Sequence, residues 1–305
     1  MILITTRNPS LTNHLAPGTT MTATSQLSGR GRGSNVWISP AGSLMFSFVL
    51  RHPLQLQATA PVVFIQYLAA LAVAEGVQTY DADVNKSSAT SARAVTSSTP
   101  ARGYRAMPVK LKWPNDIYAL DPAKGANANP ADRNNYIKIG GILVNSSYSG
   151  GDYNLVVGIG LNTSNSAPTT SLNAVLQALN RRNAANAFKG MGPKPLTAFT
   201  LEKLLARILS SFSGLYSTFC REGFAGELQE LYYRHWLHGE QVVTLEMEGG
   251  ARARIKGITS DWGLLLASEL VPDGSGGERE TGRKWALQTD SNSFDFFKGL
   301  LKRKI

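Results

Sequence analysis

The stretch that decides the fold is GRGRGSNVWISPAGSLMFSFVL, residues 29 to 50. Its first part alternates three glycines with two arginines, Arg30 and Arg32. Glycine lets the backbone approach a ligand closely, successive backbone N–H groups can bind an anion, and arginine adds a planar set of donors. The apolar run at residues 43–50 is typical of a buried strand. The stretch therefore predicts a loop that covers an anionic ligand and is anchored on a sheet.

Other interpretations of this loop compete with a ligand cover. The spacing is G-x-G-x-G and not the G-x-G-x-x-G of a dinucleotide fold, and no Walker sequence G-x-x-x-x-G-K-[ST] occurs. An RGG-like RNA-binding tract would be longer and would lie in disordered chain, whereas this loop lies between two strand patterns. From the loop alone, a ligand cover and an ordinary surface turn both stay open.

Composition indicates an ordinary globular protein with a basic surface. The chain has 305 residues, of which 43% are hydrophobic, and a formal net charge of +10. A pI near 9.7 favours an acidic partner or substrate. The excess charge is scattered and not gathered in one stripe, so nucleic acid is not favoured as that partner.

Targeting and redox features point to the cytoplasm. The sequence has no run of eighteen apolar residues, so no transmembrane helix is predicted. Its first residues, MILITTRNPSL, lack the charged and apolar regions of a secretory signal. The single cysteine, Cys220, excludes a disulfide framework and a cysteine-based metal site. We therefore expect a cytoplasmic protein that does not associate with membranes.

The order of the predicted elements indicates an α/β domain. Period-2 alternation and turn residues predict its strands, and Pro61 predicts a helix start with Thr59 as the N-cap. The sequence SGGD between the last two strands predicts a hairpin turn. The predicted strands are 19–27, 43–50, 109–113, 117–120, 136–148 and 152–162, and the helices are 8–18, 62–77, 172–179, 201–219 and 227–236.

A composition change near His238 and Gly239 predicts a domain boundary. From Gln241 onward, short alternating segments are separated by glycine and aspartate turns, which is the pattern of a small all-β module. Residues 82–106 are rich in Ser, Thr and Ala without an apolar period, and predict a flexible surface insertion. We therefore expect a catalytic domain at 1–238, with the insertion at 82–106, and a β domain at 239–305.

Lys138 is the most informative polar residue inside a predicted strand. Burying a lysine is costly unless a partner compensates its charge. A solvated face of the strand would explain Lys138 equally well. The neighbouring Gly140 and Gly141 favour a functional interpretation, because glycine weakens a strand and often marks the close approach of a ligand.

The cluster KWPND supplies further polar residues at a strand end. Asn115 and Asp116 can face a cleft there, and Asp116 could hold Mg²⁺, which prefers oxygen ligands and phosphates. An ordinary Pro-Asn-Asp turn is the competing interpretation. Asn162, at the end of GIGLN, has the same two interpretations.

Several kinds of catalytic site are not supported. His235 and His238 lack a third ligand or an H-E-x-x-H context, and are interpreted as helix-end residues. No G-x-S-x-G sequence occurs, so a hydrolase triad has no support. A reaction that works by positioning and electrostatics is the natural alternative.

Together these segments resemble the biotin protein ligase (holocarboxylase synthetase) family, and its fungal-type members in particular. The resemblance rests on Gln26 with GRGRGSNVWISPAGSLMFS, then KLKWPNDIYAL, KIGGILVNSSYSGG and VVGIGLN, all in the family's order. It implies a class II aminoacyl-tRNA-synthetase-like α/β catalytic domain with a mixed or antiparallel sheet. An SH3-like C-terminal domain should follow.

The resemblance also implies a two-step reaction. Biotin and MgATP would form biotinyl-5′-AMP, and a specific lysine of a carboxylase's biotin carrier domain would then take the biotin. The resemblance implies that Lys138 and Arg32 are catalytic, with Lys138 at the reacting carboxyl and α-phosphate and Arg32 also at the nucleotide. The biotin and adenylate site would be lined by Gln26, Gly29, Arg30, Gly31 and Arg32, and Gly141 would make room for biotin. Trp37 would pack over the closed loop at the ATP site. The nucleotide and Mg²⁺ would be faced by Asn115, Asp116 and Asn162.

The resemblance has two departures, which define the alternatives. The long N-terminal region of fungal-type relatives is absent. The family also has a Ser/Thr-rich turn that contacts biotin, and this sequence begins around that place, with only Thr5 and Thr6 as a substitute for the turn. A truncated, catalytically impaired protein that binds biotin or its adenylate is therefore one alternative. A lipoate-type ligase is another, although GRGRG together with KWPND favours biotin.

Overall fold

The computed structural model describes residues 14–31, 35–82, 103–114, 116–125, 128–186, 193–288, 292–295 and 298–303. The chain forms two compact units. The first comprises Met1–Leu111 and Asn115–His235, and the second comprises Lys112–Pro114 and Trp236–Ile305. The second unit thus begins just before the expected boundary, and it also includes a short segment of the KWPND motif.

The first unit is built on a six-stranded sheet with the order β1-β4-β8-β7-β6-β5. Every strand pair with a described register is antiparallel. A separate two-stranded ribbon, β2–β3, carries the glycine-rich segment. The strands are β1 (Thr20–Thr22), β2 (Gln26–Arg30), β3 (Val36–Ser39), β4 (Ser43–Pro53), β5 (Val109–Lys112), β6 (Asp116–Leu120), β7 (Tyr136–Ser149) and β8 (Asp152–Asn162).

Four α-helices belong to the described part of this unit: α1 (Ile65–Gln78), α2 (Leu172–Ala185), α3 (Leu201–Glu222) and α4 (Gly226–His235). The apolar sequence of α1 predicts burial on every side, and α1 indeed contacts β7, α3 and α4. A Cβ at Gly76 would lie 2.9 Å from Ile208 Cγ1, so glycine allows α1 and α3 to approach closely. The helices and the sheet share one apolar core.

The long central strands follow from their sequence. Apolar runs in β4 and β8 are buried on both faces, as the patterns predict. The predicted SGGD hairpin is confirmed: β7 and β8 are joined by Gly150 and Gly151, both with positive φ, as a tight two-residue turn requires.

The second unit is a small β module. Its six strands have the order β12-β11-β10-β9-β14-β13, and they are β9 (Val242–Leu245), β10 (Ala251–Ile258), β11 (Leu265–Pro272), β12 (Glu278–Leu287), β13 (Asn292–Asp295) and β14 (Leu300–Arg303). Within this unit, the backbone N–H of Trp113 donates to His238 Nε2 at 3.0 Å, and the indole N–H donates to Gly263 O at 3.2 Å. These bonds explain why Trp113 belongs to the β module.

The structure differs from the sequence-based expectations at two local points. Thr59 does not cap α1: its hydroxyl donates to Leu56 O, and Gln57 Oε1 accepts from the N–H of Val62 instead. The expected strand at 19–27 is divided into β1 and β2. Most of the helix expected at 8–18 lies outside the described residues.

The C-terminal end of the expected flexible insertion at 82–106 is ordered. Gly103–Ala106 form a short 3-10 helix in which Tyr104 is buried. The Tyr104 ring packs against Tyr80 and Phe199, and its hydroxyl donates to Thr197 O. The Ser-, Thr- and Ala-rich composition of this segment gave no sign that Tyr104 would be buried. Residues 83–102 lie outside the described residues.

Candidate active site

Lys138 and Asp116 form an ion pair on neighbouring strands. Tyr118 lies opposite Lys138 in the β6–β7 register, and an irregularity between Ile117 and Tyr118 shifts the pairing. Lys138 Nζ lies 2.6 Å from Asp116 Oδ1, and the two side chains are 36% and 16% exposed. Burial, with the nearby Asp116 charge, raises the pKa of the Tyr118 hydroxyl well above its usual value. The site thus holds a fixed, accessible charge pair beside a neutral phenol.

The two adjacent glycines of β7 have different surroundings. A Cβ at Gly140 would lie 2.7 Å from Gly160 O, so this glycine is required by the neighbouring strand β8. A Cβ at Gly141 would lie 3.8 Å from Asp116 Oδ1 and from Lys138 Nζ, an ordinary contact distance. A Cβ at Gly141 would therefore fit in ordinary contact with the charge pair, whereas a Cβ at Gly140 would clash with the backbone of β8.

Trp37 connects the β2–β3 ribbon to this charge pair. Its ring centroid lies 5.2 Å from Lys138 Nζ, within the range of a cation–π interaction. A Cβ at Gly160 would lie only 3.0 Å from Trp37 Nε1, so the indole rests on the Gly160 backbone. The same ribbon places Gln26 over Gly29, where an added Cβ would lie 2.6 Å from Gln26 Oε1.

Asn162 is buried and holds a loop near the site. Its side-chain nitrogen donates to Thr169 Oγ1 at 2.9 Å and to Thr170 O at 3.2 Å. Thr169 Oγ1 in turn donates to Lys138 O at 3.1 Å. Asn162 therefore supports the backbone of Lys138 through Thr169, a contact that the sequence did not predict.

The structure brings together only part of the predicted set. Trp37, Asp116, Lys138 and Gly141 lie together, and Gln26 and Gly29 lie on the ribbon that carries Trp37. Arg30 pairs with Val36, next to Trp37 in β3, so the alternation of side chains puts Arg30 on the opposite face of the ribbon. Gly31 lies against Asn35 beyond the strand pairing, and Arg32 and Asn115 lie outside the described residues.

Gly160 and Thr169 are site residues that the sequence reasoning missed. The second glycine of GIGLN, inside an apolar strand, was a usable sign, because such glycines often mark a close approach. Thr169 had no comparable sign, since its role depends on how the loop after β8 folds back.

The carboxylate of Asp116 suits a magnesium ion held mainly by its substrate. No group of three or more His, Cys, Asp or Glu side chains that could bind a metal occurs among the described residues. Mg²⁺ commonly uses one or two carboxylates together with phosphate oxygens and water. A single, partly exposed carboxylate is compatible with that chemistry.

None of the helices within the described ranges is long and apolar enough to cross a bilayer.

Sequence comparison identifies relatives over nearly the whole chain. Residues 5–162 match the biotin/lipoate A/B protein ligase family. The chain is 38% identical to "Biotin--protein ligase" of Schizosaccharomyces pombe over 287 residues, which is 94% of this chain and 40% of that protein. It is 35% identical to "Biotin--protein ligase 2" of Arabidopsis thaliana over 280 residues, covering 92% of this chain and 68% of that protein.

The chain is shorter than some of these relatives. It spans 40% of the length of the S. pombe protein and 61% of "Biotin--protein ligase 1, chloroplastic" of A. thaliana. A solved structure, the biotin protein ligase of Aquifex aeolicus in complex with biotin and ATP, has a similar fold with a TM-score of 0.50. It is 19% identical and covers 95% of this chain and 91% of that one. This likeness confirms the predicted fold class.

Proposed function

Because the chain belongs to the biotin/lipoate A/B protein ligase family, we propose that it is an ATP-dependent ligase that attaches biotin to proteins. The acceptor is a specific lysine of the biotin carrier domain of a carboxylase, and the intermediate is biotinyl-5′-AMP. The observation that carries the proposal is the Lys138–Asp116 pair, which lies in accessible space beside Gly141 and under Trp37.

In the first step, a carboxylate oxygen of biotin attacks the α-phosphorus of ATP, and the bond to pyrophosphate breaks. Negative charge increases on the phosphate oxygens as this happens. A fixed cation at that position stabilises the transition state without reorganising. Lys138 supplies this cation, and Asp116 and the Trp37 ring hold its ammonium group in place.

The nucleotide side of the site is assigned to Trp37, Asp116 and Asn115. Asp116 would hold Mg²⁺, which when bound neutralises phosphate charge. Asn162 acts through Thr169 on the Lys138 backbone and is a positioning residue in this proposal. The Trp37 indole, which rests on Gly160, offers a planar apolar surface for the adenine.

The biotin side is assigned to Gln26, Gly29, Gly31, Arg32 and Gly141. Gly141 provides the space, because a side chain there would point at the charge pair. The glycine-rich segment orders over the adenylate and excludes water, which protects the labile mixed anhydride. Arg30 is left out of this set because of its place on the opposite ribbon face.

In the second step, the acceptor lysine Nζ attacks the carboxyl carbon of biotin. The new N–C amide bond forms, the C–O bond to phosphate breaks, AMP leaves with the electron pair, and the nitrogen loses a proton. Lys138, already beside the phosphate, stabilises the charge on departing AMP. We place this reaction in the cytoplasm, which fits a chain with one unpaired cysteine.

A pyrophosphate-release assay tests the proposal. Purified chain is given ATP, Mg²⁺ and biotin, and release is measured with and without a biotin carrier domain. We expect release that requires biotin, and label on one acceptor lysine when the carrier is present. Lipoate replaces biotin in a parallel reaction, and release with lipoate alone would reassign the substrate. No release with either acid would refute ligase activity.

A further inference from the structure

The β2–β3 ribbon has an apolar face that points away from the charge pair. Val36 and Ile38 flank Trp37 in β3, so both side chains point away from the face that Trp37 occupies. Their exposed fractions are 64% and 62%. Leu27 lies in the same ribbon, at the irregularity in β2 between Gln26 and Gly29, and it is 84% exposed. Three large apolar side chains therefore point into solvent from one small ribbon.

Arg30 completes this surface. It pairs directly with Val36, so it shares the face of that residue, and its side chain is exposed. We call Arg30, Val36 and Ile38, together with the exposed Leu27 beside them in β2, the outer ribbon face. Among the described residues, β2 and β3 pair only with each other, so no third strand covers them. Contiguous exposed apolar side chains of this kind mark an interaction surface.

The outer ribbon face borders the reaction centre. The inner face of the same two strands carries Trp37, whose ring lies 5.2 Å from Lys138 Nζ. One ribbon thickness thus separates the exposed apolar residues from the place where the adenylate would form. A macromolecule that delivers a lysine to that place must touch the rim of the site, and this ribbon is part of the rim.

We propose that the outer ribbon face docks the acceptor domain that receives biotin, through an apolar patch flanked by acidic residues on that domain. This inference rests on the proposed function. Leu27, Val36 and Ile38 would lie against the apolar patch, and Arg30 would pair with a carboxylate. The net charge of +10 favours an acidic partner. Arg30 is an exposed cation on this face, so acidic residues of the partner could bind here.

The test separates docking from adenylation. One variant combines Val36→Thr and Ile38→Thr, which keeps strand-forming side chains, and a second carries Ile38→Glu, which should repel acidic residues. The matched control is Tyr148→Glu, since Tyr148 is 59% exposed and lies seven positions beyond Gly141 in β7, about 23 Å along the strand. The probe is the biotin carrier domain of an acetyl-CoA-type carboxylase.

We expect the two ribbon variants to raise the KM for the carrier domain about tenfold or more, the effect of losing a central apolar contact. Their kcat, their biotin-dependent pyrophosphate exchange and the trapping of the adenylate by hydroxylamine should match the unmodified chain. Tyr148→Glu should leave the KM for the carrier unchanged.

Three results would overturn the inference while leaving the ligase proposal intact. The first is an unchanged KM for the carrier domain in both ribbon variants. The second is an equal rise of that KM in Tyr148→Glu. The third is a loss of self-association, measured by sedimentation, that accounts for the rise in KM, because a second copy of the chain would then be the partner of this face. Loss of pyrophosphate exchange in the ribbon variants would assign the face to adenylation instead. Absence of exchange in the unmodified chain would refute the proposed function itself.

Discussion

The Glu75–His235 pair and the Lys138–Asp116 pair of the first unit have opposite surroundings. Glu75 of α1 and His235 of α4 are joined at 3.0 Å between Oε1 and Nε2, and their side chains are only 9% and 7% exposed. Lys138 and Asp116 are joined at 2.6 Å but are 36% and 16% exposed, and both lie 3.8 Å from the Cβ position of Gly141. The first pair is enclosed by helices, whereas the second faces a site.

The difference shows how burial separates a structural pair from a functional one. An enclosed pair cannot exchange its partner for a ligand, so its contribution is to satisfy polar groups that folding has removed from water. An accessible pair can give up a protein partner for a substrate oxygen. Changes at the first should therefore alter stability, and changes at the second should alter activity.

Breaking the enclosed pair is expected to have the largest effect. Glu75→Leu leaves His235 buried without its partner, and removal of one member of a buried pair costs about 3–5 kcal/mol. Urea unfolding measures this loss, and activity per folded molecule should persist. Adding a second substitution, His235→Phe, should recover part of the stability. An unchanged unfolding midpoint in Glu75→Leu would contradict the structural role.

Breaking the accessible pair should affect the reaction instead. Lys138→Ala is expected to lower the adenylation rate by about 10²-fold, the effect of losing one preorganised stabilising group. Biotin-dependent pyrophosphate exchange measures the rate, and thermal unfolding should be nearly unchanged because the side chain is partly exposed. Near-normal exchange by a folded Lys138→Ala protein would exclude Lys138 from catalysis.

The adjacent glycines sharpen the comparison within one strand. Gly140→Ala should destabilise the protein by about 1–3 kcal/mol, because the new Cβ would lie 2.7 Å from the Gly160 carbonyl oxygen. Gly141→Ala should keep the stability and weaken biotin binding, since its Cβ would occupy the space beside Lys138. Urea unfolding and calorimetric titration with biotin distinguish the two. Equal destabilisation by both changes would refute the distinction.

The smallest expected effect is on the pH dependence of stability, and it comes from a second buried histidine, His52. His52 Nε2–H donates to Ala60 O, and burial lowers the pKa of His52 below its usual value. The unfolded chain, with a histidine pKa of about 6.5, therefore takes up a proton first as the pH falls. Stability should decrease on acidification from pH 7 to 5, and His52→Gln should reduce that decrease. Identical pH profiles for the two proteins would contradict this assignment.

The sequence predicted those elements whose periodicity is set locally. The burial of α1, the long strands β4, β7 and β8, and the tight turn at Gly150 and Gly151 all follow from residue patterns. Lys138 and Asp116 were identified because a charged residue beside glycines, or at a strand end, is unusual. Side-chain alternation alone could not tell which face of the ribbon Arg30 occupies. The pairing of Arg30 with Val36 shows that it lies on the face opposite Trp37.

What the sequence determined by itself is the α/β fold class and the segments that we propose for the site. The tertiary structure alone decided which polar residues are accessible. Glu75 and His235 lie 160 positions apart, and Thr169 reaches Lys138 across 31 positions. Such contacts depend on how helices and loops pack across the sheet, and local periodicity holds no information about that packing. For the same physical reason, Gly140 and Gly141 look alike in sequence, although the first faces a backbone carbonyl and the second lies beside the Lys138 and Asp116 side chains.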